Sequence, residues 1–144
     1  MKNLYLILLL AFGLADAQIV DIPNVNFQQA LRFMLCVDTN NDGIGDSDVD
    51  TNDDGLIQVS EALAVTHLKF AYNNFTNITG INAFENLESL DCGSGLISAL
   101  SISNLHQLKS IKCFDNSLYS VDLVGLEQLE TLNVSHNEIL SLLN

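Results

Sequence analysis

Four copies of one apolar pattern occupy the second half of the chain and restrict the folds open to it. The first copy contains Val65, Leu68, Phe70, Asn73, Phe75 and Ile78. The later copies begin at Leu87, Leu108 and Leu129, so successive copies are offset by 22, 21 and 21 residues. Apolar spacing changes from three to two within each copy, which argues against a set of amphipathic helices. A repeat of this length predicts a solenoid, whose units bury their apolar faces by stacking on one another.

Each copy has a predicted strand and a predicted turn. Alternating residues such as Leu68 and Phe70 predict a short parallel strand whose side chains point into the solenoid. The Asn at the ninth position is predicted to satisfy backbone groups in the turn that leaves the strand. The second copy has Gly95 there, which we interpret as a local weakening or a sharper turn and not as a site. The rest of each copy supplies a half-turn, formed by Leu100, Ile102 and Leu105, then Val121, Leu123 and Leu126.

The repeated pattern resembles the leucine-rich repeat, L-x-x-L-x-L-x-x-N-x-L, over residues 65–144. This resemblance implies an α/β solenoid of about 3.5 repeats, with a period of 21–22 residues and a short parallel sheet. The fourth copy stops within the segment that should complete its turn. We therefore expect either a fragment of a longer protein or a last coil that a partner covers.

The first 17 residues have the pattern of a signal peptide. Lys2 precedes an apolar run from Leu4 to Leu14, and Ala15-Asp16-Ala17 has the small-x-small form of a cleavage site. The run is well short of the roughly 20 residues that span a bilayer. We predict cleavage before Gln18, no membrane span after cleavage, and a secreted or cell-surface protein.

The charge of the chain excludes some partners. Its formal net charge is −13, and only five Lys and Arg residues are present. Because nucleic-acid binding requires cationic side chains, nucleic acid is excluded, and anionic membrane surfaces are disfavoured. Eight of the 18 acidic residues lie between Asp38 and Glu61. Such a block either repels itself into disorder or is neutralised by cations.

A 12-residue segment within this acidic block fits the EF-hand calcium loop at every signature position. Side-chain oxygens, one backbone carbonyl and a bidentate carboxylate are predicted to bind Ca²⁺, and Gly55 permits the backbone reversal. The predicted ligands are Asp50, Asn52, Asp54, Leu56, Gln58 and Glu61.

A partial copy of this loop precedes it and predicts a second site, formed by Asp38, Asn40, Asp42, Ile44 and Asp46. Its twelfth position is Val49, which cannot coordinate a metal. The run from 38 to 54 also resembles the calcium-bound repeats of thrombospondin type 3 modules. In that arrangement Asp46, Asp48 or Asp50 would complete the first site, so the sequence leaves open whether one or two ions bind.

Helical signals flank the acidic block. Asn24 is a candidate N-cap for a helix whose apolar face comprises Phe27, Ala30, Leu31, Met34 and Leu35. Ser60 is a candidate N-cap for a second, short helix. We therefore predict a helix–calcium loop–helix cap over residues 18–64 that covers the end of the solenoid. The segments Ile22–Phe27 and Ile57–Ala62 resemble the cap of secreted bacterial leucine-rich-repeat proteins, which implies extracellular binding and adhesion, not catalysis.

The three cysteines do not suggest a disulfide framework. Cys92 and Cys113 fall on the same inward strand position of successive copies, where a free Cys packs as a small hydrophobe. We predict buried thiols there, with a disulfide between adjacent strands as the alternative. Cys36 has no predicted partner.

The outward strand residues are predicted to form a concave binding face. Its candidate ligand-binding residues are Lys69, Asp91, Lys112, Phe114 and Asn133. No nucleophile, base and orienting group can be placed together, and no carboxylate can be placed beside any of the three histidines. We predict a non-enzymatic module that binds an extracellular protein or glycan, with calcium as a structural ion. The alternative is the recognition part of a larger secreted enzyme.

Overall fold

A computed structural model describes residues 18–70 and 72–143. The predicted signal peptide, residues 1–17, lies outside the described residues, and so do Ala71 and Asn144. The described helices are α1 (Val25–Phe33), α2 (Val59–Ala64) and a 3-10 helix (Ile81–Ala83). The described strands are β1 (His67–Lys69), β2 (Ser89–Asp91), β3 (Ala99–Ser103), β4 (Ser110–Lys112), β5 (Ser120–Val124), β6 (Thr131–Asn133) and β7 (Ser141–Leu143).

The strands form a parallel β-solenoid of about three turns. One sheet has the order β1-β2-β4-β6, and the other has the order β3-β5-β7. In the first sheet His67 pairs with Ser89, Ser89 with Ser110, and Ser110 with Thr131. These pairs follow the offsets of the sequence copies, so the predicted solenoid and its repeat register are confirmed.

The segments predicted to be half-turns form a second parallel sheet, in addition to the short parallel sheet that the sequence predicts. Leu100 pairs with Val121 and Ile102 with Leu123, and all four side chains are buried. Residues 99–103 and 120–124 each alternate buried and less buried positions, as a strand against a core does. In the sequence, both segments have inward apolar residues at every second position, but each segment contains only two of them.

The core is a stack of inward side chains. Leu68, Leu90 and Ile111 pair in register and are almost completely buried. Full burial of such a side chain contributes about 1.5–3 kcal/mol. In the fourth copy Leu132 is partly exposed, because among the described strands none pairs with the outer edge of β6.

The N-terminal segment covers the other edge of the first sheet. The Lys69 N–H donates to the Cys36 carbonyl at 2.7 Å, and the Asp38 N–H donates to the His67 carbonyl at 3.2 Å. Val37 thereby forms an antiparallel bridge with Leu68. The backbone groups of β1 on this side are therefore paired within the chain.

The helix α1 begins where the sequence predicts and ends earlier. Asn24 is its N-cap and accepts a hydrogen bond from the Phe27 N–H at 3.0 Å, which confirms the predicted cap. Phe27, Ala30 and Leu31 are buried. Met34 and Leu35 are exposed, because the backbone adopts an extended conformation at Met34 and the helix ends there. Their predicted place on the buried face was wrong.

The helix α2 has a different N-cap from the one predicted. Gln58, not Ser60, is the N-cap, and the Glu61 carboxylate accepts the Gln58 N–H at 3.0 Å. Glu61 at the third helical position therefore sets the start of the helix.

Among the described residues no helix is long and apolar enough to cross a membrane.

Asparagine side chains bond backbone groups of their own turn, as the sequence predicts, and they also join successive turns. The Asn116 amide donates to the Cys92 carbonyl at 2.9 Å, and its oxygen accepts the Ile97 N–H at 2.9 Å. Asn137 makes the equivalent pair of bonds one turn later, to the Cys113 carbonyl and the Leu118 N–H. Each of these side chains satisfies buried backbone groups of the preceding turn.

The gap in this series at Gly95 is filled by a neighbouring side chain. Asn73, from the turn before, is buried and donates to the Cys92 carbonyl at 3.0 Å. A Cβ atom at residue 95 would lie 2.0 Å from the Asn73 Oδ1 atom. Residue 95 must therefore be glycine, because any larger side chain would overlap Asn73. This steric requirement adds to our interpretation of the turn at Gly95.

Cys92 and Cys113 form a disulfide, so the prediction of two buried thiols was wrong. Parallel pairing brings their Cα atoms to 4.9 Å, within the range that a disulfide spans. Cys36 is buried and free. Burial, followed by the nearby Asp48 carboxylate, raises the pKa of the Cys36 thiol to about 12.

We predict that Gly95→Ala destabilises the chain by about 1–3 kcal/mol, because the added methyl group overlaps the Asn73 side chain. Backbone entropy alone would favour alanine by about 0.4–1 kcal/mol. Urea unfolding measures the difference. In an Asn73→Ala background the cost of Gly95→Ala should disappear, and equal costs in both backgrounds would contradict the steric explanation.

We predict that a maleimide reagent labels no cysteine in the native chain, because Cys36 is buried and its thiol pKa is raised. Denaturation without reductant should expose one reactive thiol, and denaturation with reductant should expose three. Mass spectrometry counts the labels. Three labels without reductant would contradict the Cys92–Cys113 bond.

Candidate functional site

The two acidic 12-residue segments, 38–49 and 50–61, have the same backbone turn. We call them the first and second acidic loops. Asn41 and Asp53, at the fourth position of each, have φ values of 59° and 58°. Gly43 and Gly55, at the sixth position, both have φ of 86°. A φ of this sign suits glycine, which explains its place in both loops.

The same hydrogen bonds recur in both loops. The opening carboxylate accepts two backbone N–H groups: Asp38 accepts those of Asp42 at 3.1 Å and Gly43 at 2.7 Å. Asp50 accepts those of Asp54 at 3.2 Å and Gly55 at 2.9 Å. At the third and fifth positions a side-chain oxygen accepts the backbone N–H two residues onward, at 2.9 Å in all four cases; the acceptors are Asn40, Asn52, Asp42 and Asp54. These bonds orient the oxygen-bearing side chains of the two loops alike.

A closing carboxylate contacts the second residue of each loop. In the second loop Glu61 accepts the Thr51 N–H at 2.9 Å and the Thr51 hydroxyl at 3.0 Å. In the first loop Asp46 accepts the Thr39 N–H at 3.2 Å and the Thr39 hydroxyl at 2.8 Å. Of the three carboxylates that the sequence left open for the first loop, Asp46 has the place equivalent to Glu61.

The carboxylates of these loops are closely packed. Asp38, Asp50 and Glu61 are only 4–7% exposed. Desolvation raises the pKa of Asp38, but backbone N–H groups of residues 40–43 outweigh it and lower the pKa below its ordinary value. Desolvation, followed by the carboxylates of Asp53, Asp50 and Glu61, raises the pKa of Asp48. Negative charge is therefore crowded at the junction of the two loops.

Two basic side chains reach the acidic loops. The Arg32 Nε atom, from α1, lies 3.6 Å from the Asp50 Oδ2 atom. The Lys69 Nζ atom donates to the Gly43 carbonyl oxygen. Among the described residues Asp38 and Glu61 have no ion pair with a basic side chain. Buried carboxylates without a cation are costly, so these loops favour a further positive charge.

Amide groups complete the predicted ligand set of the second loop. The Gln58 amide donates to Asp54 at 2.7 Å and accepts from Asn52 at 3.1 Å. Within the described part of the chain, no three His, Cys, Asp or Glu side chains converge closely enough to hold a metal by themselves. Half of the predicted ligands of this loop, however, are amide or backbone oxygens. The donor set is composed of oxygen atoms, which is the chemistry that Ca²⁺ prefers.

Four of the five predicted ligand-binding residues form one row across the outer face of the first sheet. Lys69 pairs with Asp91, Asp91 with Lys112, and Lys112 with Asn133. We call these four residues the outer row. Lys69 is not free, because it contacts Gly43, and the Asp91 carboxylate accepts the Gly93 N–H at 3.3 Å. The Lys112 side chain is exposed and makes no hydrogen bond or ion pair with the residues that the structure describes.

Phe114, the fifth residue, is half-buried and not the exposed anchor that the sequence suggests. Its ring lies over Gly93, where a Cβ atom would come within 2.6 Å of the ring. The predicted exposure of Phe114 was therefore wrong, and its contact with a ligand stays a prediction. A glycine one turn earlier at the equivalent strand end was the signal in the sequence.

Sequence reasoning missed several contacts at the site. Thr39 and Thr51 occupy the second position of both acidic loops, a coincidence visible in the sequence but not used. Arg32 could not have been placed at Asp50 without the fold, since it lies 18 residues earlier. His136, predicted to have no carboxylate beside it, has its Nδ1 atom 3.0 Å from Asp115, and both side chains are exposed.

Comparisons of the chain with protein-family models and with curated proteins found no match.

Proposed function

We propose that this chain is a secreted or cell-surface binding module, without catalytic activity of its own, whose acidic loops bind Ca²⁺ as a structural ion. The solenoid belongs to the leucine-rich-repeat type in this proposal, and residues 18–64 are its N-terminal cap. The observation that carries the proposal is the duplicated geometry of the acidic loops. Two consecutive loops share turn conformation, backbone hydrogen bonds and a threonine-bound closing carboxylate.

Duplication favours two calcium ions over one. The second loop offers Asp50, Asn52, Asp54, the Leu56 carbonyl, Gln58 and Glu61. The first loop offers Asp38, Asn40, Asp42, the Ile44 carbonyl and Asp46. Because Asp46 takes the closing role there, the loop needs no carboxylate at its twelfth position. Hard oxygen ligands and a flexible loop suit Ca²⁺ better than a transition metal.

The position of the loops favours a structural role for the ion. The first acidic loop begins at Asp38, whose N–H pairs with β1, and the second ends at Glu61 in α2. Both loops therefore belong to the segment that covers the first turn of the solenoid. In the proposal, calcium orders this segment and so protects the apolar end of the stack.

The leucine-rich-repeat assignment is supported by the Asn series and by the inward Leu positions. Asn116 and Asn137 bond across turns at the place where the repeat pattern requires Asn. The outer row supports a binding role, because solenoids of this type present outward strand residues as an extended face. Its alternating charges suit a polar extracellular protein or glycan. The alternative function, the recognition part of a larger secreted enzyme, requires a catalytic domain beyond this chain.

We predict that millimolar calcium raises the free energy of unfolding by about 1–3 kcal/mol, because extracellular sites bind at about 0.1–1 mM. Thermal unfolding in calcium and then in chelator measures the shift, and titration calorimetry should count two ions. Glu61→Gln and Asp46→Asn should each remove one ion, since each removes a closing carboxylate.

Asp122→Asn is the matched control, because it removes a carboxylate from the second sheet and not from the loops. It should bind calcium as the original chain does. Equal midpoints in calcium and chelator, with no heat of binding, would contradict the calcium proposal. If the original chain binds only one ion and Asp46→Asn leaves that ion bound, the site is restricted to the second loop.

We predict that the outer row contacts the ligand, and that Lys112→Gln weakens the strongest binder found on an array of extracellular proteins and glycans by about tenfold. Gln107→Glu, in an exposed turn outside the row, changes the net charge by the same amount and should leave that binding unchanged. Surface plasmon resonance measures both. Equal losses in the two variants would indicate a general charge effect and not a site.

A further inference from the structure

A cleft of about 270 Å³ lies between α1 and the segment 72–75 that follows β1. None of its described lining residues belongs to the outer row or to the predicted calcium ligands. Four amide-bearing residues line it, which are Asn26, Gln29, Asn73 and Asn74. The Asn73 amide is buried and donates to the Cys92 carbonyl, so the exposed amides of the cleft are those of Asn26, Gln29 and Asn74. No charged side chain is among its described lining residues, although the chain has a net charge of −13. A cleft without charge in so acidic a protein suits a neutral ligand.

Two exposed aromatic side chains are among the residues that line the cleft. Phe33, at the end of α1, is 68% exposed, and Tyr72 is 87% exposed. The Arg32 guanidinium lies 4.7 Å from the centre of the Phe33 ring, which restrains that ring. Exposed aromatic groups at a concave surface are typical of binding sites, because their burial by a ligand is favourable.

Tyr72 occupies a backbone position that disfavours an aromatic residue. Its φ is 54°, in the left-handed region. The same turn recurs one, two and three turns later with a φ of 58°, 50° and 54° at Ser94, Asp115 and His136. Polar residues such as Asp and His tolerate this conformation better than a bulky aromatic residue does. Folding therefore explains the turn but not the choice of Tyr, and an outlier of this kind points to function.

Hydrogen bonds and aromatic packing join the two walls of the cleft. The Asn26 amide donates to the Asn74 carbonyl at 3.2 Å, and the Asn24 amide donates to the Thr76 hydroxyl at 3.2 Å. The ring centres of Phe27 and Phe75 are 5.1 Å apart beneath the cleft. Pre-formed walls reduce the entropy that a ligand must overcome on binding.

We propose that this cleft binds a neutral oligosaccharide. The C–H faces of a sugar ring stack on aromatic side chains such as Tyr72 and Phe33. Amide groups both donate and accept hydrogen bonds, as sugar hydroxyls do. The apolar side chains of a peptide would bury these amides without partners, which is costly. The proposal does not depend on calcium binding or on the outer row.

The test uses the full chain and an array of neutral oligosaccharides, followed by calorimetry with the best binder. Tyr72→Asn should weaken binding by about tenfold or more, because it removes the stacking ring. It should also leave the melting temperature unchanged or raise it, because Asn adopts the left-handed conformation more readily than Tyr. Loss of affinity without loss of stability is the signature of a binding residue.

Tyr119→Asn is the matched control, since Tyr119 is an exposed tyrosine outside the cleft, and it should bind as the original chain does. Gln29→Ala tests the amide wall independently and should also weaken binding. The proposal is overturned if no neutral oligosaccharide binds or if Tyr72→Asn binds normally. A melting temperature that falls together with affinity in Tyr72→Asn, or a cleft occupied only by an apolar peptide, overturns it as well.

Discussion

Stacking of equivalent residues in adjacent turns is the interaction on which this structure depends. A three-residue strand such as β2 forms few ladder hydrogen bonds, and its inward Leu90 is buried only because Leu68 and Ile111 lie on either side. One turn of the chain therefore has no stable apolar core by itself. The asparagine side chains add bonds between turns, and a left-handed residue before each of them gives every turn the same shape.

The first turn of such a stack has no preceding turn to cover its apolar face, so another part of the chain must cover it. Here that part is the N-terminal segment, which bridges β1 at Val37 and places Phe27 against Phe70 and Phe75. The acidic loops lie within that segment. Repulsion between their carboxylates therefore opposes the order of the segment that covers the first turn. This coupling is the physical basis on which we propose a structural and not a signalling role for calcium.

Departures from the repeat are more informative than its agreements. Gly95 lacks the amide of its equivalents, and the Asn73 side chain from the previous turn occupies the space. Gly93 has no side chain, and the Phe114 ring from the next turn covers it. Tyr72 departs in the opposite direction, since a large ring occupies a turn position that holds Ser, Asp or His elsewhere. The two glycines have explanations in packing, whereas the described residues offer none for Tyr72.

The sequence by itself determined the period, the inward residues, the Asn24 cap and the two acidic loops, because each depends on spacing within a few residues. The tertiary structure decided what depends on distance between turns. It joined Cys92 to Cys113, placed Phe114 over Gly93, and brought Arg32 to Asp50. It also turned the predicted half-turns into a second sheet, since two apolar residues specify a strand only when a parallel neighbour pairs with them. Local patterns identify which side chains face inward, but only the stacked turns determine which of them meet.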